Sequence, residues 1–206
     1  MELKPHDLLE IKGVEDLICN SNIPEWVETA LTNAPYVVVR RARAPVGLVA
    51  VGVRGSMRNE RFAAFLPANQ IVSRITPEQL ALGKKWRNYS KEIFHYLERV
   101  SKLMNNHSLM WGPGGSIGFE LASGKETVKA TSDIDIIIRF SEGFTTQLAR
   151  DIKAGLEIIP VHVDVQVEML EGAFSLSEYV VSEGKSILIR TMDGPILKKF
   201  DILSSC

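Results

Sequence analysis

Residues 112–139 read GPGGSIGFELASGKETVKATSDIDIIIR. A glycine turn carrying a serine leads into a short helical segment, and two acids then open an otherwise apolar strand. Strand alternation sends Asp133 and Asp135 to one face and Ile134 and Ile136 to the other, with a rise of roughly 6 to 7 Å between the acids. Unpaired carboxylates on one edge repel each other unless a cation stands between them. All-oxygen ligation points to Mg2+ or Mn2+. In VHVDVQVE the same alternation puts Asp164, Gln166 and Glu168 on one face and Val163, Val165 and Val167 on the other. If this strand pairs with SDIDIIIR, Asp164 becomes a third ligand, with Glu168 as a rival for that place. The GPGGS turn is the complementary part: Gly115 lets backbone N–H groups approach an anion, Ser116 adds a hydroxyl, and a following helix N-terminus favours negative charge. Phosphate on the turn and metal on the acids is the equipment of phosphoryl or nucleotidyl transfer.

Working outward, the chain from Ser108 alternates strand, helix and strand through SLMWG, GSIGFELA, SDIDIIIR, FTTQLARDIKAGLEI, VHVDVQVEML, LSEYVVSE and a final strand, SILIRT. Ser175 caps LSEYVVSE with Glu178 in the capping-box position. Upstream, TPEQLALGKKWRNYSKEIFHYLERVSKLMNNH reads as one long helix: Thr76 is its N-cap, Pro77 its first residue, and Trp86, Tyr89, Ile93, Tyr96, Leu97, Val100, Leu103 and Met104 form its apolar stripe. Before it, YVVVRRA (36–42) and GLVAVGVRG (47–55) flank Pro45-Val46-Gly47 as a hairpin or small barrel. The predicted organisation is a β-rich N-terminal domain over 1–75 and an α/β domain over 76–206, an α+β chain overall.

The formal net charge of −1 excludes a generally basic nucleic-acid coat. Within it, RRARAPVGLVAVGVRGSMRNER gathers Arg40, Arg41, Arg43, Arg54, Arg58 and Arg61 with Glu60 as its only acid. Arginine forks suit phosphates, and the patch is sized for a polyphosphate rather than a duplex. Cys19 and Cys206 form no CxxC pair, so neither a disulfide framework nor a structural zinc site is expected. The N-terminus lacks a signal-peptide layout and no apolar run reaches the length of a membrane span, so a soluble cytoplasmic protein is expected.

The order of GS turn, DxD strand and later acid resembles the nucleotidyltransferase superfamily of the polymerase-β type. That resemblance implies a mixed sheet flanked by helices, Gly115 and Ser116 on the triphosphate, and Asp133, Asp135 and Asp164 on the metals. A closer likeness runs through PHDLL (5–9), APYVVVRRA (34–42), PVGLVAVGVRGSMRNERFAAF (45–65), ITPEQL (75–80), GSIGFELASG, SDIDIIIR, VDVQVE (163–168) and SILIRTMDGP. These stretches resemble malonate decarboxylase holo-acyl-carrier-protein synthase, also called phosphoribosyl-dephospho-CoA transferase. The family implies transfer of a phosphoribosyl-dephospho-CoA group from triphosphoribosyl-dephospho-CoA to a serine of the decarboxylase's apo acyl-carrier subunit, with pyrophosphate released. Arg40, Arg54, Arg58 and Arg61 are then expected to bind donor phosphates. Two rivals stand beside this reading: another nucleotidyltransferase using ATP or CTP, and a catalytically silent module that binds a CoA-like ligand.

Overall fold

The computed structural model describes residues 2–57 and 59–199. The chain divides into two compact units, Met1–Thr76 with Phe119–Thr127, and Pro77–Gly118 with the chain from Val128 onward.

The first unit is built on β1 (Leu8–Glu10), α1 (Glu25–Asn33), β2 (Tyr36–Val39), β3 (Leu48–Arg54), β4 (Arg61–Pro67) and β5 (Ser73–Ile75). Its five-stranded sheet has the order β4-β3-β2-β1-β5, and every pairing is antiparallel. The expected hairpin is β2 with β3, with Val38 opposite Gly52. One sheet face, carrying Val37, Val39, Val51, Val53, Ala64 and Leu66, packs with Val27 and Leu31 of α1. On the other, Leu8, Tyr36, Val38 and Ile75 pack with Phe119 and Ala122. Ile18 bridges to Phe65 and covers the outer edge of β4, which would otherwise offer unpaired backbone groups. Asp7, fully buried, is held by Arg74 at 2.8 Å.

The second unit begins with α2 (Pro77–Gly83) and α3 (Glu92–Asn106), followed by β6 (Trp111–Pro113), α4 (Gly115–Ser123), β7 (Ile134–Arg139), α5 (Thr146–Glu157), β8 (Val163–Glu168), β9 (Ala173–Ser175), α6 (Leu176–Ser182), β10 (Ser186–Thr191) and β11 (Gly194–Lys199). The last residues of α4 belong to the first unit. Its six-stranded sheet is ordered β11-β10-β9-β8-β7-β6 and is mixed, since β7 and β8 run parallel while the other pairs are antiparallel. A parallel pair needs a crossover, and α5 supplies it. Thr145 caps α5 by accepting from the Leu148 N–H, and Ser175 caps α6 from the Glu178 N–H. One sheet face carries Ile134, Ile136, Ile138 and Val167, all fully buried; α5 and α6 pack together, with α3 against α5. Each such buried side chain contributes about 1.5–3 kcal/mol.

Two expectations need correction. The long helix over 76–107 is two helices, because Lys84 takes a left-handed conformation (φ 47°) after α2 and a 3-10 turn spans Lys85–Asn88. The break lets Trp86 turn inward, 1% exposed, where its indole N–H donates to Glu98 at 2.9 Å. SILIRT is also not the last strand: β11 returns against it, and the short β9 joins β8 to β10. No helix among the described residues is long and apolar enough to cross a membrane.

Candidate active site

The glycine turn lies directly on β7. Gly112 faces Ile137 and Pro113 faces Ile136, and the Gly114 N–H donates to the Asp135 carbonyl at 2.8 Å. Gly115 then turns the chain into α4 at φ +54°, where a Cβ would stand 1.7 Å from Asp135 Oδ2. Two constraints therefore demand glycine there: left-handed backbone, and contact between the turn and a carboxylate that any side chain would displace. Ser116, the second residue of α4, is buried at 6% exposure. Gly112 is constrained as well, since a Cβ on it would overlap the Pro77 carbonyl at the start of α2.

Asp135 and Asp164 are register partners on the parallel pair β7 and β8. Neighbouring strands lie about 4.8 Å apart and paired residues share a face, so these acids stand side by side. Asp135 is half-buried and Asp164 exposed. Asp133 precedes β7 by one residue; its side chain is 54% exposed and lies 3.8 Å from Nδ1 of His162. The three acids thus occupy one face at one end of the sheet. Among the described residues no three His, Cys, Asp or Glu side chains converge closely enough to hold a metal ion. The donor chemistry nevertheless suits a hard divalent cation: carboxylates on adjacent strands, beside a cradle that a Cβ would fill.

Further along the same face the charges are already matched. Arg139, 9% exposed, donates from Nε to Glu78 Oε1 at 2.6 Å and lies 4.0 Å from Glu168. Glu168 also accepts from Gln166 at 2.6 Å and is 6% exposed. Glu168, the rival third acid of the sequence reading, is therefore committed to a buried ion pair, and Arg139 is engaged with Glu78 and Glu168. Sequence reasoning missed Glu78 and Arg190 as members of this network. Arg190 donates to Gln166 at 3.0 Å from β10, and no local pattern could reveal a neighbour that arrives through β9.

The first unit holds the arginines. Arg54 and Arg61 are directly opposite on β3 and β4. Arg40 lies over Gly52, where a Cβ would meet its Cδ at 3.2 Å. Because Val38 pairs with Gly52, alternation puts Arg40, Arg54 and Arg61 on the same sheet face, opposite to α1. Arg40 and Arg61 are exposed, and the Arg61 guanidinium also donates to the Glu60 carbonyl at 3.0 Å. Arg58 lies outside the described residues.

Comparison with known proteins finds two family profiles along the chain. Residues 4–77 match the profile of the phosphoribosyl-dephospho-CoA transferase MdcG N-terminal domain, and residues 79–200 match that of its C-terminal domain. The phosphoribosyl-dephospho-CoA transferase of Pseudomonas syringae pv. tomato is 37% identical over 191 residues, covering 92% of this chain and 89% of the relative. That of Pseudomonas fluorescens is 34% identical over 183 residues, covering 89% and 87%. A more distant one, from Azotobacter vinelandii, is 32% identical over 194 residues, covering 93% and 90%. No solved structure matches the chain.

Proposed function

The chain belongs to the phosphoribosyl-dephospho-CoA transferase family, and from that premise we propose how its acids, turn and arginines divide the work of transfer. It is a transferase enzyme. In our reading the donor is triphosphoribosyl-dephospho-CoA, the acceptor is a serine of the apo acyl-carrier subunit of malonate decarboxylase, and the reaction runs in the cytoplasm. The observation that carries the reading is the meeting of the Gly115 turn with Asp135, itself in register with Asp164.

The acceptor hydroxyl oxygen forms a bond to the donor's α-phosphorus, and the bond from that phosphorus to the bridging oxygen of the leaving pyrophosphate breaks. Gly115 and Ser116, at the N-terminus of α4, hold the β and γ phosphates, where backbone N–H groups and the helix end favour negative charge. Asp133, Asp135 and Asp164 would hold Mg2+, or Mn2+, which when bound neutralises charge on the phosphates and fixes their orientation. Asp164, the exposed member of the register pair, also takes the hydroxyl proton. Arg40, Arg54, Arg58 and Arg61 bind phosphates of the long donor, for which guanidinium forks are suited.

The test is intact-mass spectrometry of the apo acyl-carrier subunit after incubation with the enzyme, Mg2+ and the triphosphate donor. A gain equal to the phosphoribosyl-dephospho-CoA group is expected, absent without metal and absent with Asp135→Asn. A gain that persists without metal would remove the cation from the mechanism. No gain with the wild-type enzyme would shift the reading to ordinary nucleotides, to be screened with ATP and CTP. For the arginines, Arg54→Ala and Arg61→Ala are each expected to weaken donor binding severalfold; unchanged affinity would take the patch out of the donor site.

A further inference from the structure

The acid-bearing face of the second sheet continues beyond Asp164. Glu168 pairs with Ala173 and Ala173 with Arg190, and residues paired across a ladder point to the same side. Ala173 is small, so Arg190 reaches across β9 to donate from Nη1 to Gln166 Oε1 at 3.0 Å. Gln166 stands two positions from Asp164 on that face. Arg139 in the same row is buried between carboxylates, whereas Arg190 is exposed and, among the described residues, is tied only to the neutral Gln166. A guanidinium has five N–H donors, so one anchoring bond leaves Arg190 fixed in direction with most of its donors available. Beside it, Leu188 pairs with Leu197, which is 74% exposed on the edge strand β11.

We infer that this outer half of the face, centred on Arg190, seats the acceptor polypeptide, with the guanidinium gripping an acidic side chain near the modified hydroxyl. The inference rests on the transfer reading above. In phosphoryl transfer the attacking and leaving oxygens lie roughly in line through phosphorus. The turn that receives the leaving pyrophosphate lies at the β6 side of Asp135, and the sheet order β11-β10-β9-β8-β7-β6 fixes what lies opposite. An attacking oxygen entering opposite the leaving group therefore comes over β8 from the direction of β9 and β10. The donor's ribosyl branch is an equatorial substituent on phosphorus and leaves that axis to the acceptor. An arginine beside the exposed Leu197 and the half-buried Leu188 is the mixture that anchors a protein partner, and its charge selects an acidic one.

The experiment measures binding of the apo acyl-carrier subunit by fluorescence anisotropy, together with KM for carrier and donor, for wild type, Arg190→Glu, Arg190→Gln and Arg190→Lys. Circular dichroism checks the fold of each variant, and the neutral Arg190→Gln stands in should the glutamate variant fail to fold. We expect carrier Kd and KM to rise about tenfold in Arg190→Glu, less in Arg190→Gln, with Arg190→Lys near wild type and donor KM within about twofold throughout. Unchanged carrier binding would overturn the inference. So would a donor KM that rises in parallel, since Arg190 would then serve the donor. A wild-type enzyme that modifies no carrier would overturn the transfer reading and this inference with it, whereas transfer that is normal in wild type and variants alike overturns this inference alone.

Discussion

Gly115 shows how much of the site depends on a missing side chain. Its φ of +54° and the 1.7 Å approach a Cβ would make to Asp135 Oδ2 act in the same direction, so alanine there must either distort the turn or push the carboxylate away. Gly115→Ala is expected to lower kcat/KM by about 100-fold, the scale of a misplacement near 1 Å, and to cost about 1–3 kcal/mol of stability from the strained backbone. Steady-state kinetics beside urea unfolding would check both; full activity would mean that the turn and Asp135 need not touch. At this scale the sequence was informative where chemistry is local. GGS and DID are short patterns that local reading can pick out, but the different surroundings of Asp164 and Glu168 are not local. Both sit on one face of VDVQVE, and what separates them is Arg139, which reaches Glu168 from β7 and Glu78 from α2. Asp164 instead pairs in register with Asp135.

Among the elements, the break between α2 and α3 is the most instructive departure. Periodicity favoured one helix because apolar spacing persists through Trp86 and Tyr89, yet Lys84 turns left-handed and the 3-10 turn carries Trp86 and Arg87 onto Glu98. The paired Arg87 guanidinium, bonded at 2.6 Å and 3.0 Å, together with the indole N–H, holds the Glu98 carboxyl down at about 2. A carboxyl lowered in the folded state adds stability that is fully present above its ordinary value near 4.5 and is lost as pH falls toward 2. The difference in urea midpoint between wild type and Glu98→Gln should therefore be largest at neutral pH and shrink steadily between those limits. A difference independent of pH would show that Glu98 acts by shape rather than charge. β9 and β11 escaped the sequence reading for another reason: three residues give too little alternation to detect, and GPILKK on an open edge has no buried face to pattern it.

For the molecule as a whole, the segment Phe119–Thr127 is the part whose packing its place in the chain does not reveal. It lies far along the chain from Thr76, yet it groups with the first unit, where Phe119 and Ala122 pack with Leu8, Ala34, Tyr36, Val38 and Ile75. A fragment ending at Thr76 should therefore expose that apolar face, bind a hydrophobic dye and give poorly dispersed amide resonances. Joining residues 119–127 to it through a short linker should restore dispersion; a fragment 1–76 that is well folded alone would show that this cover is dispensable. The sequence by itself determined which residues share a face and where most helices start. These follow from the fixed periods of strand and helix and from side-chain chemistry. Only the tertiary structure decided that β7 lies parallel beside β8, that Arg190 reaches Gln166 across Ala173, and that Phe119 closes the first unit's sheet. Such pairings rest on the sum of many weak contacts between distant segments, and no local stretch of the chain carries that sum.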